Sequence, residues 1–423
     1  MESAGLRSRE RLSSNGTSTV AEKEQGHSSY DKFRPPKYTI DLSLPPAKRY
    51  QHVAKDFTEE IESLPGLFDE IVGQLSPNIS VSNVRRLARV LLRRVHNREQ
   101  TEELRGLHQS TGVDMYLLVA FNVILDVLMG CTSGGVRVQD GQGKTKMLHF
   151  RTLDWGMDPL RKVVVEYDFV EKAGGGVVAT TITYLGFVGF LTGVKKNLSV
   201  SLNFRPTHDS SNWLASVRFY SHHLLMLLGI RPAISSILRQ VLIPTLESPS
   251  NVRSIGGTLD SIERNLPSMK TTATYLIFSD GDRTVTMEKD NHTAVVRSSK
   301  EFIVTTNHDQ SDELRPKSEI AAQDASGRTL QVTGMEGVVE DSILRKEVAV
   351  GRWEQHSEAA KSASRNGPDC QPVFLTTEKV VGWVESYPTA NEETHFAVVM
   401  DPKEGKVIYA RRYVNPIQPP RNE

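Results

Sequence analysis

The stretch MYLLVAFNVILDVLMGCTSGGVRVQD (115–140) is where the chain changes character. Its first part is apolar but interrupted by Asn122 and Asp126, so it is too short and too polar to span a bilayer. It reads as a buried helix over 113–129. At Cys131 small residues take over, and an alternating strand pattern begins. Upstream, the patterns are helical. DFTEEIESLPGLFDEIVGQL (56–75) is periodic up to Pro65, and SVSNVRRLARVLLRRV (80–95) sets Val84, Leu87, Leu91 and Leu92 against a basic side. Downstream, GGVRVQD, KMLHFRTLD, KVVVEYDFV, GGVVATTITYLG and LSVSLNF read as strands punctuated by Gly, Asp and Asn. A helical insert over about 212–265 follows. TATYLIFSD, RTVTMEK, TAVVRSS and FIVTTNH then resume the strands, 334–349 reads as a helix, and HFAVVMD and KVIYARRY are strands near the end. Helices and strands are segregated by segment. That predicts an α+β fold with layered sheets rather than a doubly wound sheet.

Residues 1–34 are rich in Ser, Glu, Lys and Arg and read as a disordered tail. They hold no apolar run of the kind a secretory leader needs. On the sequence as given this points to the cytoplasm, with a lysosomal, vacuolar or secreted location only if a signal peptide is missing. Order is expected from PPKYTIDLSLPPAKRY (35–50), where YTIDLSL alternates like a strand between proline pairs. The composition, 38% hydrophobic and 24% charged, is that of an ordinary globular protein. Lys plus Arg equals Asp plus Glu at 51 each, so net charge offers no footprint for nucleic acid. Two cysteines, Cys131 and Cys370, exclude a disulfide scaffold and a cysteine-rich metal cluster. No cofactor is expected.

Cys131 is the residue on which a function can be built. Most lone cysteines are inert core residues. The histidines at 149, 208, 222, 223, 292 and 308 show no spacing diagnostic of a Cys–His pair. A second route to activation needs no histidine. A cut just before the cysteine creates an α-amine on the same residue, and such amines titrate at roughly 7.7–8.0. That amine can take the thiol proton and pass it to a leaving group.

CTSGG (131–135), FRTLDWG (150–156), YLGFVGFLTGVKKNLSVSLNFR (184–205) and FIVTTNHD (302–309) follow one another in this chain. Their order and spacing resemble the signature segments of the acid ceramidase family, which includes the N-acylethanolamine-hydrolysing acid amidases. PPKYTIDLSLPPAKRY resembles the start of that family's small subunit. The likeness spans roughly 35–330. It implies an N-terminal-nucleophile hydrolase with an αββα sandwich, made as one precursor that cleaves itself before its cysteine, here at Gly130–Cys131. A small subunit region of 35–130, behind the tail, and a large subunit of 131–423 would result. The resemblance makes Cys131 the nucleophile, with Asp154 holding the new amine and Arg151 ordering that carboxylate and the substrate carbonyl. Asn307 would donate its amide NH₂ into an oxyanion hole, and Arg328, in DASGRTL, would match a further family arginine. By residue type alone these are a surface ion pair, a strand cap and a turn arginine.

One position departs from the family. Relatives carry Asn-Glu-Arg where this chain has Asn203-Phe204-Arg205. Phenylalanine supplies no carboxylate, so either the local network is rebuilt or a neighbour substitutes. The family's disulfides also have no counterpart, and Cys370 has no obvious partner. The implied substrate is a lipid amide. Ceramide is favoured, with N-acylethanolamine, another N-acyl amide or an acyl-transfer reaction as alternatives, and a catalytically weakened fold relative as the rival. TYLGFVGFLTG (183–193) and FYSHHLLMLLGI (219–230) could line an acyl channel or touch a membrane transiently. The basic stretch with Arg85, Arg86, Arg89, Arg93, Arg94 and Arg98 reads as a solvated face or a contact for acidic residues of the large subunit, ahead of a lipid-headgroup surface.

Overall fold

The computed structural model describes residues 33–57, 59–61, 66, 68–69, 80–124, 130–245, 250–314, 328–330, 336–364 and 375–419. Cys370 and nearly all of the expected tail lie outside them. Before the cysteine the described chain comprises one strand, β1 (Lys37–Asp41), and mainly helices: Gln51–Lys55, Val81–Leu91, Arg98–Thr111 and Met115–Ile124. The helix Arg98–Thr111 was not apparent from the apolar pattern. Local chemistry defines it: the Asn97 side chain accepts from the Gln100 N–H at its start, and Gly112, at φ 74°, ends it in a left-handed turn.

Strands then dominate: β2 (Gly130–Gln139), β3 (Thr145–Asp154), β4 (Val164–Val170), β5 (Val177–Tyr184), β6 (Thr192–Lys195), β7 (Leu198–Phe204) and β8 (Thr207–Asp209). The expected helical insert follows as Trp213–Leu227, Ile234–Leu242, Ser250–Arg253 and Leu259–Asn265. After it come β9 (Thr274–Ser279), β10 (Thr284–Lys289), β11 (Ala294–Ser299), β12 (Phe302–Thr305) and β13 (Arg328–Leu330). The helices Glu336–Ser364 and Thr377–Glu385 precede β14 (Thr394–Asp401) and β15 (Lys406–Arg412). The first of these two helices runs well past the expected 334–349, and the second was not foreseen.

Eight strands form one sheet, in the spatial order β1-β4-β5-β6-β7-β9-β10-β11. Five form a second, β12-β2-β3-β14-β15. β1 pairs in parallel with β4, so the N-terminal segment closes one edge of the larger sheet. Alternation along β3 shows how the sheets stack. His149 points at the larger sheet, its ring nitrogens 2.7 and 2.8 Å from the Ser199 and Ser201 hydroxyls of β7. Leu148 and Phe150 point the other way and join a core with Ala349, Val380, Val381 and Val384 of the two late helices. On the far side of the larger sheet lie Ile237, Leu238 and Val241 of the insert. The result is helix, sheet, sheet, helix: the αββα form of an α+β fold.

β7 explains why the sandwich holds a polar layer. LSVSLNF alternates, which in an ordinary sheet would put its polar side in water. Here every residue of it is buried. Ser199, Ser201 and Asn203 face the smaller sheet, where His149 and Ser133 satisfy them. Burial pushes the His149 pKa down to about 3, so its ring is neutral.

Candidate active site around Cys131

Cys131 is the second residue of β2, and it is wholly buried. Its neighbours on β3 are fixed by register: Gly130 lies opposite Asp154, Cys131 opposite Leu153 and Ser133 opposite Arg151. Side chains two apart share a face, so Cys131 and Arg151 both point between the sheets. Arg151 Nη2 lies 3.2 Å from Sγ. The other end of that guanidinium, Nη1, donates to the Leu191 carbonyl and the Thr192 hydroxyl, which pins it.

The backbone of Cys131 is gripped from the opposite direction. Its N–H donates to Asn307 Oδ1 at 2.7 Å. Its carbonyl accepts from Arg345 Nη1 at 2.8 Å, and the same nitrogen donates to the Thr132 hydroxyl at 2.8 Å. Arg345 Nη2 reaches Asn307 Oδ1 at 3.1 Å, and Nη1 lies 3.5 Å from Asp154 Oδ2. Asp341, one turn earlier on the helix Glu336–Ser364, accepts from Arg345 Nε at 2.7 Å and aims it. Arg345 thus touches the cysteine backbone, the asparagine and the aspartate at once.

Asp154 is buried, with Thr394 Oγ1 donating to its Oδ1 at 2.6 Å. Burial pushes its pKa up to about 7, against the pull of Arg345 and the Thr394 hydrogen bond. Near neutrality this carboxyl can therefore hold or release a proton, a property that clusters at reactive sites. A Cβ on Gly130 would lie 3.3 Å from Asp154 Cβ, so a larger residue would push the carboxyl away from the Gly130–Cys131 peptide. Burial raises the pKa of the Cys131 thiol, with Arg151 opposing and Asp154 adding to the rise. At neutral pH the sulfur is a thiol and must lose its proton as it attacks.

Of the residues singled out in sequence, Cys131, Arg151, Asp154 and Asn307 converge here. Arg328 opens β13, and its backbone lies opposite Asp209 in a two-stranded ribbon with β8. Beside Arg151, a second arginine meets the cysteine: Arg345, at its backbone carbonyl. Its signal lay in a helical spacing: Val339, Ser342, Arg345 and Ala349 are all buried on one face of their helix, and an arginine at such a position needs partners inside. Asn307 differs from expectation in one respect. Its NH₂ group donates to the Phe204 carbonyl at 2.7 Å, and its carbonyl oxygen serves Cys131.

Comparison with known proteins gives the following likenesses. Residues 33–96 match the family model described as the beta subunit of N-acylethanolamine-hydrolyzing acid amidase. The chain is 31% identical over 187 residues to the N-acylethanolamine-hydrolyzing acid amidase of Caenorhabditis elegans, covering 41% of this chain and 48% of that protein. It is 27% identical over 186 residues to the acid ceramidase of Rattus norvegicus, covering 40% and 45%. Parts of the chain are thus similar to acid ceramidases and N-acylethanolamine-hydrolyzing acid amidases. It spans about half the length of the curated relatives it matches. A solved structure of the Caenorhabditis elegans N-acylethanolamine-hydrolyzing acid amidase ortholog aligns with TM-score 0.41 and 18% identity, over 64% of this chain and 93% of that one.

Position 204, where the sequence resemblance leads one to expect a glutamate, now has a physical description. The phenylalanine side chain is buried in the core, and only its main-chain carbonyl takes part in the site, as acceptor for Asn307. Asp154 and Arg345 form a charged pair beside Cys131, with Arg345 on the cysteine's carbonyl.

Proposed function

We propose that this chain is an N-acyl amide hydrolase made as a precursor, and that scission at Gly130–Cys131 exposes Cys131 as its nucleophile. The observation that carries the reading is the cluster itself. Cys131 has its sulfur against Arg151, its N–H on Asn307, its own carbonyl, one peptide beyond the junction, on Arg345, and a carboxyl of pKa about 7 beside it. An inert core cysteine needs none of these.

The scission balances as follows. Sγ attacks the Gly130 carbonyl carbon, and a C–S bond forms as the C–N bond to Cys131 breaks. The thiol proton ends on the freed amine, with Asp154 able to relay it. Water then hydrolyses the thioester, leaving a carboxylate on Gly130 and a free amine and thiol on Cys131. In turnover the same sulfur attacks a substrate amide, the amine product leaves, and water releases the fatty acid. Residues 1–130 and 131–423 are then the small and large subunits. The favoured substrate is ceramide, yielding fatty acid and a sphingoid base, with N-acylethanolamine as the competing amide.

A lipid substrate is supported by an apolar surface. Trp213, Val217, Tyr220 and Leu224 recur at helical spacing on Trp213–Leu227, and each is more than half exposed. Exposed Leu87 and Val90 lie on the basic helix Val81–Leu91. No described helix is long and apolar enough to cross a membrane. Peripheral contact through this amphipathic surface is the proposed mode.

Intact mass over a pH series tests the scission: two fragments meeting at Gly130–Cys131 are expected, and a single full-length species from Cys131→Ala. Amidase activity from a chain that stays full length would overturn the mechanism. Parallel rates on ceramide and N-acylethanolamine separate the two substrates.

A further inference from the structure

The segment that carries Asn307 is sewn to the end of β7 residue by residue. Asn203 Nδ2 donates to the Thr305 and Thr306 carbonyls at 3.0 and 3.3 Å, and its Oδ1 accepts from Ser133 of β2 at 2.7 Å. The carbonyl of Phe204 accepts from Asn307. Arg205 Nε and Nη2 then take both oxygens of Asp309, at 2.8 and 2.7 Å. Three consecutive residues, the last two of β7 and Arg205 just past it, thereby hold positions 305, 306, 307 and 309.

The last of these contacts is built rather than incidental. Arg205 is 6% exposed and Asp309 2%. The pair is a two-pronged fork, a geometry that fixes orientation as well as separation. Both ends have further partners. Tyr275 Oη donates to Asp309 Oδ1 at 2.8 Å, the Asp309 N–H donates to Asp312 at 3.1 Å, and Arg205 Nη1 donates to Asp290 at 2.7 Å. Several carboxylates and their hydrogen bonds outweigh burial and keep the Arg205 pKa above its ordinary value. Neither residue is among the contacts to Cys131 described above. Arg205 adjoins Phe204, and Asp309 is two residues beyond Asn307.

Asn307 must present its carbonyl oxygen, not its NH₂, to the Cys131 N–H. Arg345 Nη2, donating to the same oxygen at 3.1 Å, favours this orientation from one end, and the Phe204 carbonyl fixes the other. Were residues 204 and 307 to slide apart, the restraint on the NH₂ end would be lost. We infer that the Arg205–Asp309 pair is a positioning clamp that sets the distance and tilt between Phe204 and Asn307, and through them the presentation of the Gly130–Cys131 peptide for scission. A main-chain carbonyl held by a neighbouring ion pair thus orders this part of the site without a carboxylate at position 204.

This rests on the proposed roles of Cys131 and Asn307, and the test separates the two. The full chain is made as Arg205→Lys, which keeps the charge but loses the fork, and as Asp309→Asn, which keeps the shape and Tyr275's acceptor. Scission at Gly130–Cys131 is timed by intact mass well below the unfolding temperature and counted per folded molecule by circular dichroism. A displacement of about 1 Å at a reacting centre can cost on the order of a hundredfold in rate. Each variant is therefore expected to cleave at least about tenfold more slowly, with the wild-type pH midpoint because Asp154 is untouched. The double variant should be little slower than either single one, since both break the same pair. A purely structural role would lower the folded fraction and leave the rate per folded molecule unchanged, which overturns the clamp, as does a wild-type rate in either variant that folds. A wild-type chain that never cleaves removes the Cys131 reading instead, and the clamp with it.

Discussion

The Asp154 carboxyl is the site's most exposed wager, because its pKa has a consequence for stability that requires no catalysis. An aspartate carboxyl begins near 3.8, and burial in this fold carries it to about 7. The folded state therefore binds that proton more tightly than the unfolded one. The contribution is fully present below pH 3.8 and is lost as pH rises to about 7. At about 1.4 kcal/mol per pH unit, the rise corresponds to about 4 kcal/mol. Asparagine mimics the protonated carboxyl. It has the same shape and can still accept from Thr394, but it cannot ionise. In a Cys131→Ala background, where no scission intervenes, Asp154→Asn should change stability little at pH 4. It should stabilise by about 4 kcal/mol at pH 8, where the wild-type carboxylate sits buried at its full cost.

Urea unfolding of Cys131→Ala and Cys131→Ala/Asp154→Asn, across pH 4 to 8, measures this difference directly. Other titrating groups cancel between the two proteins, so only Asp154 shapes the gap. A gap that widens between pH 4 and 7 and then levels supports a carboxyl poised near neutrality. A gap that is flat across the range would place the Asp154 pKa at its ordinary value and remove it as a proton relay for the scission.

Three further outcomes follow from other parts of the molecule. Glu103 is buried between Arg49 and Arg239, taking Arg49 Nη1 at 2.9 Å and Arg239 Nη2 at 2.6 Å. It thereby ties the N-terminal helices to the insert, and Glu103→Gln should cost about 3–5 kcal/mol in chemical unfolding by leaving buried guanidinium charge uncompensated. Arg345→Lys keeps the charge but cannot reach Cys131, Thr132, Asn307 and Asp154 together, so scission followed by intact mass should slow on the order of a hundredfold. Trp213→Ser with Tyr220→Ser should weaken sedimentation with anionic vesicles while leaving the melting temperature in place, since both side chains are exposed. Unchanged sedimentation would remove the membrane role of that helix.

Much of the fold was legible because periodicity reports burial. The strands of the two sheets and the insert helices have the period their faces demand, and the change at Cys131 marks where helices give way to sheets. The helix Arg98–Thr111 was opaque for a physical reason. Gln100, Thr101 and Glu103 are among its buried residues, so its inner face is polar and a hydrophobic pattern cannot reveal it. The helix Thr377–Glu385 buries Val380, Val381 and Val384, but its nine residues carry too short a pattern to stand out from a loop. At the site, the residues carried by contiguous motifs, Cys131, Arg151, Asp154 and Asn307, could be named in advance. Arg345 could not, because no short motif links position 345 to position 131. Only packing of the late helix on the smaller sheet brings them together.

The intact junction and its proposed product place different demands on the same atoms. Before scission Cys131 offers a single N–H, and Asn307 Oδ1 takes it at 2.7 Å. After scission the residue would carry an amine with additional hydrogens, and on the neighbouring strand a buried carboxyl oxygen could accept one. Asp154 Oδ2 accepts no hydrogen bond among the described residues, lies 3.5 Å from Arg345, and sits on the residue opposite Gly130 in the sheet. A buried carboxylate oxygen without a donor is costly in the precursor. That cost falls if the oxygen acquires the new amine as its partner. Scission would then relieve a strain of the precursor as well as create the nucleophile. The prediction is directional: once cut, the chain should lose the destabilisation at pH 8 that Asp154 imposes on the uncut form. Unfolding of cleaved wild type beside uncleaved Cys131→Ala at pH 8 would reveal it, and a cut protein still as sensitive to Asp154→Asn as the uncut one would contradict it.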